Sequence, residues 1–137
     1  RRTVIMVDRS SFKSRKRVFE IAKKRLKNGV SIAIFPEGLV PTEEVVLAPF
    51  KRGAFSLAIE FQIPVVPQAY YDCKRFFSWD LLKGSPGTLR VHQHNFLETK
   101  GMSVKQNMDG LKNKTFNLLY DDLANDKKYM KDTNRKI

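Results

Sequence analysis

The sequence predicts an α/β domain, a mostly parallel sheet flanked by helices. Three observations carry that expectation. Short apolar runs of strand-forming residues alternate with longer segments whose apolar residues recur at helical spacing, and Gly and Pro punctuate each change of period. The resulting order is strand, helix, strand, helix, strand, strand, helix. With 137 residues, 42% hydrophobic and 29% charged, the chain suffices for one core and not for two.

Val4–Val7 is an apolar run bounded by charges and reads as a buried strand ending at Asp8-Arg9. Ser10, Ser11 and Ser14 offer N-caps for a helix through about Lys27, in which Val18, Ile21, Ala22, Arg25 and Leu26 fall at i, i+3, i+4, i+7 and i+8. Asn28-Gly29 stops it. Val30–Phe35 reads as a second buried strand, broken by Pro36, and an irregular loop follows to about Pro49. A helix is expected from about Gly53 to Phe61. The run from Val65 to Tyr71 forms a third strand, with Pro67 at its start or at a bulge, since proline cannot donate to a ladder. Gly84-Ser85-Pro86-Gly87 is a turn before an edge strand within Thr88–Phe96, and an amphipathic helix runs from Ser103 to about Leu123. The domain is taken as residues 1–124, with 125–137 a polar, frayed tail.

The formal net charge is +12, and residues 1–28 alone carry 11 basic and 2 acidic side chains. So basic a chain favours an anionic partner. The first helix holds most of this charge and reads either as a face for anionic lipid or as a solvated surface. Nucleic acid is disfavoured, because neither a recognition-helix pattern nor a paired-aromatic RNA signature occurs. No apolar stretch approaches the roughly 20 residues of a membrane span. A single cysteine, Cys73, excludes an internal disulfide and a cysteine-based zinc cluster. The opening Arg1-Arg2-Thr3 carries neither an initiator methionine nor a signal-peptide pattern, and so reads as part of a longer protein.

Ligands of open α/β sheets gather at the carboxyl ends of strands, where Asp8-Arg9 and Pro36-Glu37-Gly38 fall. Arg9 lies beside a serine-rich helix start, where guanidinium, hydroxyls and free N–H groups could meet one oxyanion; the alternative is a surface arginine paired with Asp8. Glu37, between a proline and a glycine, has its carboxylate on a stiff turn, suited to orienting a hydroxyl, while Gly38 lets backbone approach a ligand; the alternative is an ordinary polar turn. Lys51-Arg52 precedes a helix start, where cations oppose the helix dipole, and so suggests a second anion contact. His92 and His94 share one face of a strand. With no third ligand to place beside them, they read as a solvated edge and no metal is expected.

Taken in order, these segments resemble the glycerolipid acyltransferase family, specifically the 1-acyl-sn-glycerol-3-phosphate (lysophosphatidate) acyltransferases. Val4-Ile5-Met6-Val7-Asp8-Arg9 is similar to the family's second block. Ile34-Phe35-Pro36-Glu37-Gly38 matches the core of its third, Pro49-Phe50-Lys51-Arg52-Gly53-Ala54-Phe55 the segment that follows, and Ile63-Pro64-Val65-Val66-Pro67 its fourth. The likeness covers about Val4 to Tyr70. It implies transfer of an acyl group from acyl-CoA or acyl-carrier protein, as co-substrate, to the free hydroxyl of lysophosphatidate, with no cofactor, at the cytoplasmic face of the membrane. It assigns phosphate contact to Arg9 with Lys51 or Arg52 assisting, and glycerol positioning to Glu37 and Gly38. Two departures stand out. The family's first block, His-x4-Asp, which supplies the general base, does not occur here and is expected upstream of Arg1, so that these 137 residues alone should be inactive. Leu39-Val40-Pro41 stands where many members carry Thr-Arg-Ser, which shifts phosphate binding onto Arg9, Lys51 and Arg52. The competing expectation is a non-catalytic phospholipid- or anion-binding module of the same fold.

Overall fold

The computed structural model describes residues 5, 11–42, 44–77 and 84–126. The chain divides into two compact units, residues 1–35 and 36–137. The predicted Val4–Val7 strand, apart from Ile5, and Arg9 and the tail beyond residue 126 lie outside the described residues.

In the first unit, α1 spans Phe12–Lys27. Ser11 caps it: its hydroxyl accepts from the Ser14 N–H at 3.2 Å, satisfying one of the free donors of the first turn. Gly29, at φ 71°, ends it as expected. Lys24, Arg25 and Lys27 occupy the last turn, where they complement the negative end of the helix dipole, which accounts for part of the basic cluster without any ligand. Ala22 is buried, and Val18, Ile21 and Leu26 are half-buried on the same stripe.

The second buried strand is a correction. Among the described residues, 31–35 pair with no strand, and Val30, Ile34 and Phe35 are exposed, Phe35 by 74%. A strand exists only through its ladder, and apolar composition alone supplies no partner for one.

The second unit contains α2 (Gly53–Glu60), β1 (Gln68–Tyr70), the single-turn α3 (Cys73–Phe76), β2 (Val91–Gln93) and α4 (Val104–Ala124). The α/β class stands, but the two described strands pair antiparallel, Gln68 with Gln93 and Tyr70 with Val91, and not parallel. A parallel neighbour needs a crossover helix, and between these strands the described chain has only α3. Val65 also bridges Leu97. Two residues lie between Val65 and Gln68 but three between Gln93 and Leu97; Pro67 keeps the register, its carbonyl accepting from His94 N–H at 3.0 Å, so the β2 side carries one extra residue opposite Val66, next to the proline. That is the bulge expected of a proline inside a ladder. All three residues of β2 are exposed, as befits an edge strand.

Helix α4 begins at the predicted cap, Ser103, and packs across α2 and β1. The core between them is Phe50, Phe55, Ile59, Ala69, Met108, Leu111 and Leu119. Phe50 stacks on Phe55 with ring centroids 6.0 Å apart and meets Phe116 edge-on at 5.2 Å. Thr99 is fully buried, and its hydroxyl reaches the carbonyls of Ile63, at 2.8 Å, and Ala58, at 3.3 Å, where α2 gives way to the strand. Replacing Thr99 by valine keeps the volume but removes the donor, and is expected to cost about 1–3 kcal/mol in a denaturant titration.

Asp72, buried at 4% exposure, is held by Arg90 through Nε at 2.8 Å and Nη2 at 2.9 Å, and the same guanidinium reaches Asp126 after α4. This fork ties the strand pair to the end of α4.

Candidate functional site

The segment 36–51, all in the second unit, closes on itself through two bonds. The Glu37 carboxylate accepts from the buried Ala48 N–H at 2.7 Å, and the Lys51 N–H donates to the Pro36 carbonyl at 2.7 Å. Gly38 sits at φ 69°, a left-handed conformation that costs a side-chain-bearing residue roughly 1–2 kcal/mol. The Lys51 stem lies against it, its Cγ only 3.5 Å from where a Cβ would be. Glycine is therefore required by the backbone angle, and the lysine lies over the turn. Lys74 braces the far side: its ammonium donates to the Thr42 carbonyl at 3.1 Å and also to that of Val45. Burial pushes the Lys74 pKa down, and the Glu37 carboxylate pulls it back up.

Of the predicted site residues, Glu37, Gly38 and Lys51 thus come together. Arg52 turns the other way. Its guanidinium pairs with Asp109 on α4, which also receives Lys112 at 3.1 Å. Those two cations hold the exposed Asp109 carboxyl below its ordinary range. The pair gives Arg52 a structural occupation that its neighbours in sequence do not reveal, because Asp109 lies 57 residues away. Arg9 lies outside the described residues. Ala48 and Lys74, which frame the turn, were not legible: one contributes only its backbone N–H, and the other lies more than twenty residues further along the chain.

A second cluster lies where β1 and β2 meet α4. His92 Nδ1 and His94 Nε2 both contact Asp122 Oδ2, at 2.8 and 2.7 Å, and the other oxygen of Asp122 accepts from the Tyr71 hydroxyl at 2.7 Å. The solvated-edge reading of these histidines is therefore corrected. His94 and Asp122 are half-buried, and the third partner that sequence spacing could not supply comes from the final helix. Burial and the Asp122 carboxylate push the Tyr71 pKa up to about 12, so it remains a donor.

A turn carrying Pro-Glu-Gly, closed onto a basic Pro-Phe-Lys-Arg-Gly segment that opens a helix, defines a class. Residues 2–71 match the sequence model of the family described as Acyltransferase, and the chain belongs to that family. Among individual relatives, it is 38% identical over 84 residues to 1-acyl-sn-glycerol-3-phosphate acyltransferase alpha of Homo sapiens, covering 61% of this chain and 29% of that protein. It is 27% identical over 110 residues to the 1-acyl-sn-glycerol-3-phosphate acyltransferase of Borreliella burgdorferi, covering 79% of this chain and 44% of that one. In three dimensions it is similar to the 1-acyl-sn-glycerophosphate (LPA) acyltransferase PlsC from Thermotoga maritima, with a TM-score of 0.66 at 23% identity over 79% of this chain and 43% of that chain, a likeness of fold. The chain spans less than half the length of these relatives.

Proposed function

We propose that this chain holds the acceptor side of a lysophosphatidate acyltransferase: the full-length protein moves an acyl group from acyl-CoA or acyl-carrier protein to the free hydroxyl of lysophosphatidate, giving phosphatidate. The observation that carries this reading is the closed 36–51 segment, in which one carboxylate and one ammonium share a rigid turn. In the reaction the acceptor hydroxyl oxygen attacks the thioester carbonyl, the C–O bond forms, the C–S bond breaks and the thiol leaves with the proton. Lys51, with Arg9, neutralises the acceptor phosphate, and Glu37 sets the glycerol backbone so that the hydroxyl faces the thioester. Arg52 assists after leaving Asp109.

A general base must take the hydroxyl proton. The sequence contains two histidines, His92 and His94, and neither is followed five residues on by an aspartate. A His-x4-Asp pair, which would supply that base, does not occur among these 137 residues. Among the described residues no helix is long and apolar enough to cross a membrane. The basic face of α1 is the surface we assign to anionic lipid at the cytoplasmic side.

The full-length protein, given labelled acyl-CoA and a panel of acceptors, is expected to acylate lysophosphatidate well and neutral monoacylglycerol poorly. Equal use of both, or of neither, contradicts the reading. Arg9→Ala in that protein is expected to raise the KM for lysophosphatidate about tenfold, the worth of one charge-assisted contact, and a wild-type KM removes Arg9 from the site.

A further inference from the structure

We propose that His92, His94 and Asp122 form a binding site for a divalent cation of zinc type that clamps the strand pair to the end of α4. The fold brings these donors together for simple reasons. Residues two apart on a strand face the same way, so the two imidazoles stand side by side with ring centroids 4.2 Å apart. Helix α4 packs on β1 and delivers Asp122 to the same spot, so the donor atoms of all three residues lie within 4.8 Å of one another. Two imidazole nitrogens and a carboxylate oxygen are the donor set that borderline cations such as Zn2+ take.

The geometry needs little change. Ligands in a tetrahedral zinc site sit about 3.3 Å from one another, given metal–ligand distances of about 2.0–2.1 Å. The two histidine nitrogens now lie 2.8 and 2.7 Å from the same Asp122 oxygen. An opening of about half an ångström admits the ion; the His92 side chain is 52% exposed, and its Nδ1 also lies 3.3 Å from the Tyr71 hydroxyl. Each imidazole then carries its proton on the nitrogen facing away, leaving Nδ1 of His92 and Nε2 of His94 as ligands. The outer shell is already built. Tyr71 donates to Asp122 Oδ1, which fixes the carboxylate with Oδ2 toward the histidines. The neighbouring cation, Arg90, lies over the Tyr71 ring and is engaged by Asp72 and Asp126, so its charge does not oppose the ion. Three protein ligands leave a fourth position for water.

The site is independent of acyl transfer and is tested without an activity assay. The full-length protein is titrated with Zn2+ against a chromophoric chelator, and its histidine ring nitrogens are followed by NMR. One equivalent bound at micromolar free Zn2+ is expected, with signals shifting at Nδ1 of His92 and Nε2 of His94 and a higher melting temperature. His92→Gln and Asp122→Asn should each weaken binding tenfold or more. His92 is half exposed, so its substitution leaves the fold intact and keeps the comparison decisive. Undiminished binding by the His92→Gln, His94→Gln double variant, or absence of stoichiometric binding by wild type, overturns the proposal.

Discussion

Glu37→Ala in the full-length protein is expected to lower kcat/KM for acyl transfer about a hundredfold, the scale of a misplaced reactant, while leaving the protein folded. The carboxylate has two oxygens. One accepts from the Ala48 N–H and so holds the 36–51 segment shut; the proposed function gives the other to the glycerol backbone. Alanine removes both, frees the turn that carries Gly38, and leaves the buried Ala48 N–H without its acceptor, a local cost of about 1–3 kcal/mol. The core of the second unit does not include Glu37, so a cooperative melt survives. Glu37→Gln separates the two duties. Its amide oxygen can still accept from Ala48, so that variant should recover the stability of wild type but only part of the activity. Full activity in Glu37→Ala would leave the carboxylate with a purely structural part in the turn.

Phe55→Ala carries the largest expected loss of stability. The side chain is 2% exposed, stacks on Phe50 and sits among Ile59, Met108 and Leu111. Truncation removes the transfer free energy of a buried ring and leaves a cavity between α2 and α4, together about 3–5 kcal/mol. For a unit of this size that lowers the melting temperature by on the order of 10 °C or more. Phe50, which loses its stacking partner, directly precedes Lys51, so the damage reaches the site through the backbone. The variant should therefore lose acceptor affinity even where it is still folded. Phe55→Leu fills most of the space and should recover the greater part of the stability.

Local signals were legible in the sequence wherever a single residue type decides the backbone. Ser11 and Ser103 cap the two long helices because a hydroxyl can satisfy a first-turn N–H, Gly29 and Gly38 mark positive φ, and Pro67 marks the bulge. Pairing was not legible to the same degree. Val30–Phe35 has the composition of a buried strand, yet composition does not supply a ladder partner, and the two described strands form an antiparallel pair within what was expected to be a mostly parallel sheet. At the site, Glu37, Gly38 and Lys51 could be named from their turn and charge chemistry. The partners that position them could not, since Ala48 acts through its backbone and Lys74 arrives from beyond β1. Arg52 and the histidines make the same point from the other side. Each has an aspartate on α4, Asp109 or Asp122, and contacts at that sequence separation exist only once helix and strands have packed.

The central claim is that Lys51, laid across Gly38, recognises the phosphate of the acceptor. It is tested most directly by steady-state kinetics of full-length Lys51→Met, which keeps the stem against Gly38 and removes the charge, with lysophosphatidate and with a neutral monoacyl acceptor. The account predicts a KM for lysophosphatidate raised about tenfold or more, as expected for loss of a charge-assisted bond, with kcat nearly unchanged and the poor turnover of the neutral acceptor unaltered. Identical KM values in wild type and variant, or an equal loss with both acceptors, would contradict it.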